Sequence, residues 1–360
     1  MADLMQDTYT YEDLKKKYGN FHMPFVKVKI DGTDIAAEEE AYIISMSIYL
    51  SLLAANTVEI KIANLYDRKR KSFDSGIRNK LQLGSVAEVE LGYVKSSVCV
   101  FKGYVSSVGV EYDEEPLISV TLMDARRLMM QRGARQVAYD VPNYTDAISK
   151  IMKDYSKLCK LEMDATNDKL TRPIIQRQSD YHFITKELIQ TGVIDREFFI
   201  VADKAYVRTP RKVKTPIMTL TPSMGLLTFA AQEEYQDLKV EVIGYDSQKQ
   251  EILQASETVK PPSNQRKLLS ETPVSSFSDS WTDTQEMVNA RAKNLASALQ
   301  WKRFRGRGTT IGLPELVPGR YLQIKEMDSS FADHKYYLTN VTHEINGKNF
   351  VTTFEIGGWI

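Results

Sequence analysis

Phe304-Arg-Gly-Arg-Gly-Thr-Thr-Ile311, Val317-Pro-Gly-Arg-Tyr-Leu-Gln-Ile324, Tyr336-Tyr-Leu-Thr-Asn-Val-Thr-His343 and Phe350-Val-Thr-Thr-Phe-Glu-Ile356 follow one another at the C-terminal end of the chain. Each run is short, rich in β-branched and aromatic residues, and bounded by Gly, Pro, Asp or Asn, so a period of two fits better than a helical period. Asn346-Gly347 lies between the last two runs, where a tight hairpin needs residues that tolerate positive φ. The stretch therefore reads as a small antiparallel sheet or barrel.

The same grammar occurs nearer the N-terminus. Leu83-Gly-Ser-Val-Ala-Glu-Val-Glu-Leu91 opens like Val317–Ile324, and Tyr104-Val-Ser-Ser-Val-Gly-Val-Glu-Tyr112 follows like Tyr337–Ile345. Ile118-Ser-Val-Thr-Leu122 then answers Phe350–Phe354. An internal repeat of one β-domain, split by a long middle, accounts for this. Any two antiparallel sheets with similar turns would also look alike. Phe25–Ile30, Tyr42–Leu53 and Thr57–Asn64 supply further strands to the first copy.

Between the copies the pattern turns helical. Thr145 is positioned to cap a helix with Ala147, Ile148, Ile151, Met152, Tyr155 and Leu158 on one stripe. Asp180 is positioned to cap a second helix that Gly192 ends, and Glu197–Val207 reads as a hairpin. Asp246–Asp283 is polar and punctuated by Pro261-Pro262 and Pro273, which reads as an extended connector. Asp283 with Glu286 makes a capping box for a helix through Trp301. The expected class is mainly β with an α+β insert. A peripheral arm spans 1–21, a first β-barrel 22–124, the insert 125–210, a second β-barrel 211–245 with 302–360, and the connector with its helix 246–301.

A chain of 360 residues needs more than one core, and its 42% hydrophobic fraction is ample for several. Lys plus Arg equals Asp plus Glu at 47 each, so no overall field attracts a polyanion, and specific nucleic-acid binding is not expected. No apolar run is long enough to span a bilayer as a helix. Cys99 and Cys159 support neither a disulfide framework nor a cysteine-based zinc site, and the first residues lack the pattern of a signal peptide. Assembly in a bacterial cytoplasm, with release by lysis or in a particle, is the expectation. The acidic run Glu38–Glu40 and the basic run Arg68–Lys71 read as solvated loops; contact with an acidic partner is the alternative for the second.

The sequence lacks a phosphate-binding loop of the Walker type, His-Glu-x-x-His, Gly-x-Ser-x-Gly and paired Cys-x-x-Cys. His22, His182, His334 and His343 are scattered; His334 and His343 with Asp333 form the one conceivable metal group, against ordinary packing or surface roles. No catalytic residue, cofactor site or metal site is assigned. Arg305 and Arg307 between glycines could grip a phosphate or carboxylate, or belong to a bulged β-edge.

Several motifs together resemble a family. The helix end Asn294-Leu-Ala-Ser-Ala-Leu299, then Gly306-Arg307-Gly308-Thr309, Pro318-Gly319-Arg320 and Tyr336-Tyr337-Leu-Thr-Asn-Val341-Thr-His343 are similar to the C-terminal part of the phage late control gene D proteins. Gln176-Arg-Gln-Ser179-Asp180-Tyr-His-Phe-Ile-Thr-Lys-Glu-Leu188, Gly192, Glu197–Asp203 and Val240–Asp246 extend the likeness over roughly residues 22 to 357. Those proteins are tail hubs of contractile phages, and VgrG of the type VI secretion system contains the same module. The resemblance implies a homotrimeric structural hub at the baseplate centre, adapting a three-fold spike to a six-fold inner tube and forming a channel. Its implied partners are a separate trimeric spike, an inner tube or tube-initiator protein, baseplate proteins, and a tape measure or cargo in the lumen. VgrG continues into a further barrel and spike, whereas this sequence stops at Gly357-Gly-Trp-Ile360, so a separate spike is expected. Gln176, Ser179, Asp180, Gly306, Arg307, Gly308, Pro318, Gly319, Arg320, Tyr337 and Val341 carry the motifs and are expected to serve packing or interface roles. A tail-borne cell-wall hydrolase with the insert as enzyme, and a polysaccharide-binding β-module, are the readings from other classes.

Overall fold

The computed structural model describes residues 3–35, 42–63, 65–73, 75–94, 96–112, 115–133, 136–170, 172–262, 265–278, 282–328, 331, 334–347 and 349–360. Glu38–Glu40 and Asp333 lie outside them. The protein is mainly β, dominated by a 13-stranded sheet in which all but one of the pairings are antiparallel.

The N-terminal half of that sheet uses β1 (Pro24–Ile30), β2 (Tyr42–Ser51), β3 (Thr57–Ala63), β4 (Val86–Tyr93), β5 (Ser96–Glu111) and β6 (Leu117–Met123), in the order β2-β3-β6-β5-β4-β1. An α+β insert follows. It contains α1 (Ala125–Gln131), α2 (Tyr144–Met152), β7 (Lys160–Met163), a continuous helix over Asp180–His182 and Phe183–Gln190 whose second part is π-type, and the hairpin β8 (Glu197–Val201) to β9 (Lys204–Arg208). β7 lies parallel to β9, and the insert has its own core around Ile148, Ile151, Phe183, Leu188 and Phe198.

The C-terminal half of the sheet uses β10 (Pro216–Leu220) and β11 (Leu226–Glu233). The chain then leaves for β12 (Lys239–Asp246), β13 (Glu251–Thr258), β14 (Val274–Ser278) and α3 (Gln285–Trp301). It returns as β15 (Phe304–Ile311), β16 (Tyr321–Ile324), β17 (Lys335–Asn346) and β18 (Asn349–Trp359). The order is β11-β15-β18-β17, with β16 on β17 and β10 on β16. Six strands in each half thus occur in the same chain order and the same spatial order. The outermost pair differs, since β1 is antiparallel to β4 while β10 is parallel to β16.

The two halves match down to single hydrogen bonds. Gly84 and Gly319 both have positive φ, +89° and +85°, which an L side chain rarely adopts. The N–H of Gly84 donates to the Val105 carbonyl and that of Gly319 to the Leu338 carbonyl, each at 2.9 Å. Val105 and Leu338 donate back to the carbonyls of Ser85 and Arg320, again at 2.9 Å each. Register shifts recur at matching places, between Val105 and Ser107 as between Leu338 and Asn340, and between Ile43 and Ser45 as between Leu226 and Thr228. The repeat is therefore structural. The sequence pairing of Ile118–Leu122 with Phe350–Phe354 needs a correction of two residues: Ile118 lies opposite Val110 as Thr352 lies opposite His343. A two-residue slip preserves which side chains face inward, so hydrophobic alternation alone does not detect it.

Three expectations change. Residues 246–283 are not simply an extended connector, because β13 and β14 flank β12 and α3 covers this small sheet through Val240, Val242, Val288 and Ala292. The helix N-caps are Asn143, Ser179 and Thr284 rather than Thr145, Asp180 and Asp283, one or two residues earlier or later than the pattern suggested. Residues 3–21 are not peripheral: Leu4, Met5, Leu14 and Tyr18 are buried in the main core. The arm is held by two buried charges. Arg320 donates from Nη1 to the Leu4 carbonyl at 2.7 Å and from Nη2 to the Asp7 carbonyl at 2.8 Å. Glu315 accepts from Lys17 at 2.8 Å and from the Tyr18 hydroxyl at 2.6 Å.

Replacing Arg320 by Met keeps much of its volume but leaves those two carbonyls unpartnered, at a cost of roughly 2 to 4 kcal/mol. We expect a lower urea midpoint and loss of amide protection over residues 3–18, read by hydrogen exchange. Unchanged protection would mean that Arg320 does not hold the arm.

Candidate assembly surface

Strand alternation gives the sheet from β11 to β5 two different faces. Inward positions such as Met46, Ile48, Val58, Ile60, Val120, Leu122, Val341 and Phe354 are buried. Outward positions carry small polar groups: Ser45 and Ser47 on β2, Ser119 and Thr121 on β6, Ser107 on β5, Thr342 on β17, Thr353 on β18, and Thr309 on β15. The outward charges are partly paired, and Glu59 and Glu344 stand on either side of Ser47. Lys61 pairs with Glu111 at 2.9 Å, Arg305 with Glu234 at 3.4 Å, and Arg307 lies opposite Glu355 in the ladder. This face offers many weak hydrogen-bonding groups, with its excess charge acidic at Glu59 and Glu344.

The two halves meet at one seam, where β17 pairs antiparallel with β2 from Asn340↔Ser51 to Asn346↔Ser45. Val341 faces Leu50, His343 faces Ile48 and Ile345 faces Met46, and all six side chains are buried. Sequence parity places His343 inside this seam. Its Nδ1 lies 2.9 Å from the Thr352 hydroxyl.

The seam uses the edge of β17 that β16 leaves free beyond Tyr337. The matching edge of β5, which β4 leaves beyond Tyr104, has no strand partner among the described residues. At the far end of the sheet β11 pairs only with β15 among those residues. The exposures differ accordingly. Val110, the counterpart of His343, is 49% exposed, and Tyr112, the counterpart of Ile345, is 64% exposed, whereas His343 and Ile345 are 0% and 7%.

The residues singled out from the sequence do not converge on one site. Gln176 and Asp180 form a buried network in the insert: the Tyr139 hydroxyl donates to Gln176 at 2.7 Å, Gln176 donates to Asp180 at 2.8 Å, and the Tyr155 hydroxyl donates to Asp180 at 2.6 Å. Ser179 caps the following helix. Gly306 and Gly308 leave room for neighbours, since a Cβ would lie 2.4 Å from the Ala230 carbonyl oxygen and 2.4 Å from the Phe354 ring. Arg307 lies on the outward face. Pro318 and Gly319 shape the turn that presents Arg320 to the arm, and Val341 sits in the seam. Tyr337 donates to Glu197 at 2.6 Å, and Arg208 donates to the same carboxylate at 2.8 Å. A cavity of about 620 Å³ adjoins this cluster, with Arg211 stacked over Trp301 at 3.9 Å. The Arg211 N–H also donates to Glu197, at 3.4 Å, so three donors from two strands and a loop converge on this buried carboxylate. Among the described residues no group of three or more His, Cys, Asp or Glu is placed to hold a metal ion, and no helix is long and apolar enough to cross a membrane. Glu315, Glu197 and the two open edges were not legible as special positions; the signal for the edges was apolar residues at repeat positions whose counterparts are buried.

Burial pushes the His343 imidazole down from 6.5 to about 4. Its folded value lies below its unfolded value, so the unfolded chain protonates first and stability is lost as pH falls from 6.5 toward 4. Between pH 7 and pH 5 this group should remove about 2 kcal/mol. In His343→Gln the drop in urea stability over that interval should shrink by a similar amount; an unchanged drop would show that His343 is not the titrating group.

Residues 21–347 match the family described as the Alg8 N-terminal domain. No curated protein sequence matches the chain. Among solved structures, a tail protein from Neisseria meningitidis MC58 superposes with a TM-score of 0.70 at 12% identity, covering 94% of this chain and 97% of that one. The 43 kDa tail protein of prophage MuSo2 from Shewanella oneidensis gives 0.68 at 13%, covering 92% and 97%. A component of the type VI secretion system of E. coli, described as similar to the T4 bacteriophage tail proteins gp27 and gp5, gives 0.53 at 11%, covering 91% and 76%. At these identities the likeness is one of fold.

Proposed function

The chain belongs to the Alg8 N-terminal domain family, and we propose that it acts as the structural hub of a contractile phage tail, phage-like bacteriocin or extracellular injection system. The observation that carries this reading is the duplicated six-strand arrangement joined by a head-to-tail seam. In this reading each half is one β-barrel. Three chains, each with two similar barrels, supply six similar units around an axis, which suits a six-fold inner tube on one side and a three-fold spike on the other. The likeness in fold to tail and type VI secretion proteins supports it.

The outward face of the sheet lines the channel. Its Ser and Thr hydroxyls stay hydrated, and its excess charge at Glu59 and Glu344 is acidic, so neither a polyanion nor an unfolded apolar segment binds it strongly. A conduit needs that indifference. The partners are a trimeric spike, an inner tube or tube-initiator protein, baseplate proteins, and a tape measure or cargo in the lumen. The hub is assembled in the bacterial cytoplasm and carried in the particle. Its work is mechanical and needs no cofactor.

Light scattering measures this directly. A mass near three times 41.1 kDa, alone or with the cognate spike protein, is expected. A strict monomer in both samples would remove the reason for the duplication and overturn the hub reading.

A further inference from the structure

The seam inside the chain specifies how one chain should meet the next. Counterparts across the repeat can be read from the ladders. Val110 on β5 matches His343 on β17, because Val110↔Ile118 and His343↔Thr352 are the same number of ladder steps from the shared register shift, and Tyr112, one residue past the end of β5, matches Ile345 by the same offset. On β2 and β11, Met46 matches Phe229 and Ile48 matches Ala231, because Met46↔Ile60 and Phe229↔Gly308 lie the same number of steps from the shifts at Ile43/Ser45 and Leu226/Thr228. β17 meets β2 through His343↔Ile48 and Ile345↔Met46. Each half therefore has one edge of each kind, and the seam uses only one of each.

We propose that the free edge of β5 pairs antiparallel with β11 of a second copy of this chain, with Val110 opposite the second copy's Ala231 and Tyr112 opposite its Phe229. This rests on the hub reading and gives its contact a register. The contact repeats the internal seam, so the same rotation relates every neighbouring pair of halves, and a head-to-tail contact of this kind closes into a ring when that rotation divides a full turn. The exposed Val110 and Tyr112 become covered as His343 and Ile345 are covered within the chain. Tyr112 already stands against Tyr66 and Phe73 at ring-centroid distances of 5.7 and 5.9 Å, so it is held ready for a partner across the edge. Phe229 is likewise fixed edge-on to Tyr336 at 4.9 Å.

Disulfide trapping tests the register. Residues directly opposite across antiparallel strands have Cα atoms about 4.5 to 5.5 Å apart, within the range a disulfide spans. Full-length Val110→Cys/Ala231→Cys should oxidise to covalent species up to the trimer and no larger on a non-reducing gel. Val110→Cys/Gln232→Cys, whose thiols lie on opposite faces, should remain uncrosslinked, as should each single variant. Native Cys159 is buried and Cys99 partly so, and the single variants control for both. A trimer by light scattering whose Val110→Cys/Ala231→Cys form does not crosslink would overturn this register while leaving the hub reading intact. Covalent ladders beyond the trimer would overturn the closed ring. A monomer throughout, with and without the spike protein, would overturn both.

Discussion

The pairing of β17 with β2 is the constraint on which the rest depends. It is a ladder between the two halves of the duplication, closed by buried apolar side chains on one face and by hydroxyl groups on the other. Because it joins similar units by dissimilar edges, it turns two small sheets into one and leaves one edge of each kind unused. An unused edge with apolar residues is a hazard in isolation. In the ring proposed above it would be the means of assembly.

Around that seam the long middle of the chain is accommodated without altering it. The α+β insert leaves after β6 and returns before β10, and the small sheet with α3 leaves between β11 and β15. Both excursions therefore occur at places where the duplicated strand order permits a connection. The first half spans the equivalent β2–β3 step with a short turn. The N-terminal arm then packs into the shared core, with Arg320 and Glu315 as its buried anchors. Each of these charges meets two partners from the arm, at the cost of tying the arm to one position.

Much of this was legible in the sequence. Short alternating runs gave the strands, Asn346-Gly347 gave the last hairpin, and the Gly84 and Gly319 turns anchored the repeat. What stayed hidden depended on contacts distant in sequence. The polar run 246–283 lacks strong alternation because β13 and β14 are covered on one side only by a single helix, so their exposed positions read as connector. The arm looked peripheral because its few apolar residues, Leu4, Met5, Leu14 and Tyr18, show no period of their own; their neighbours, such as Tyr93 and Glu315 around Tyr18, are distant in sequence. The motif residues were recognisable, but they fall in separate places, since what unites them is packing rather than a shared site.

The two kinds of contact are built from the same geometry with different side chains, and the difference bears on the order of events. Within the chain Leu50 and Ile48 lie in the seam, whereas at the equivalent positions on β11 stand Glu233 and Ala231. Glu233 is engaged by Arg303 at 2.9 Å, so this edge carries a charge where the internal seam carries a leucine. An edge so marked pairs less readily with unrelated strands. Pairing with β5 of another copy would exchange Leu50 and Ile48 for Glu233 and Ala231 but would set Tyr112 against Phe229, so it would rest on one aromatic pair where the internal seam rests on aliphatic ones. The internal seam forms with the fold, while the proposed contact between copies would depend on concentration. In the proposed hub the chain would fold around its own seam first, and the second contact would form when copies meet.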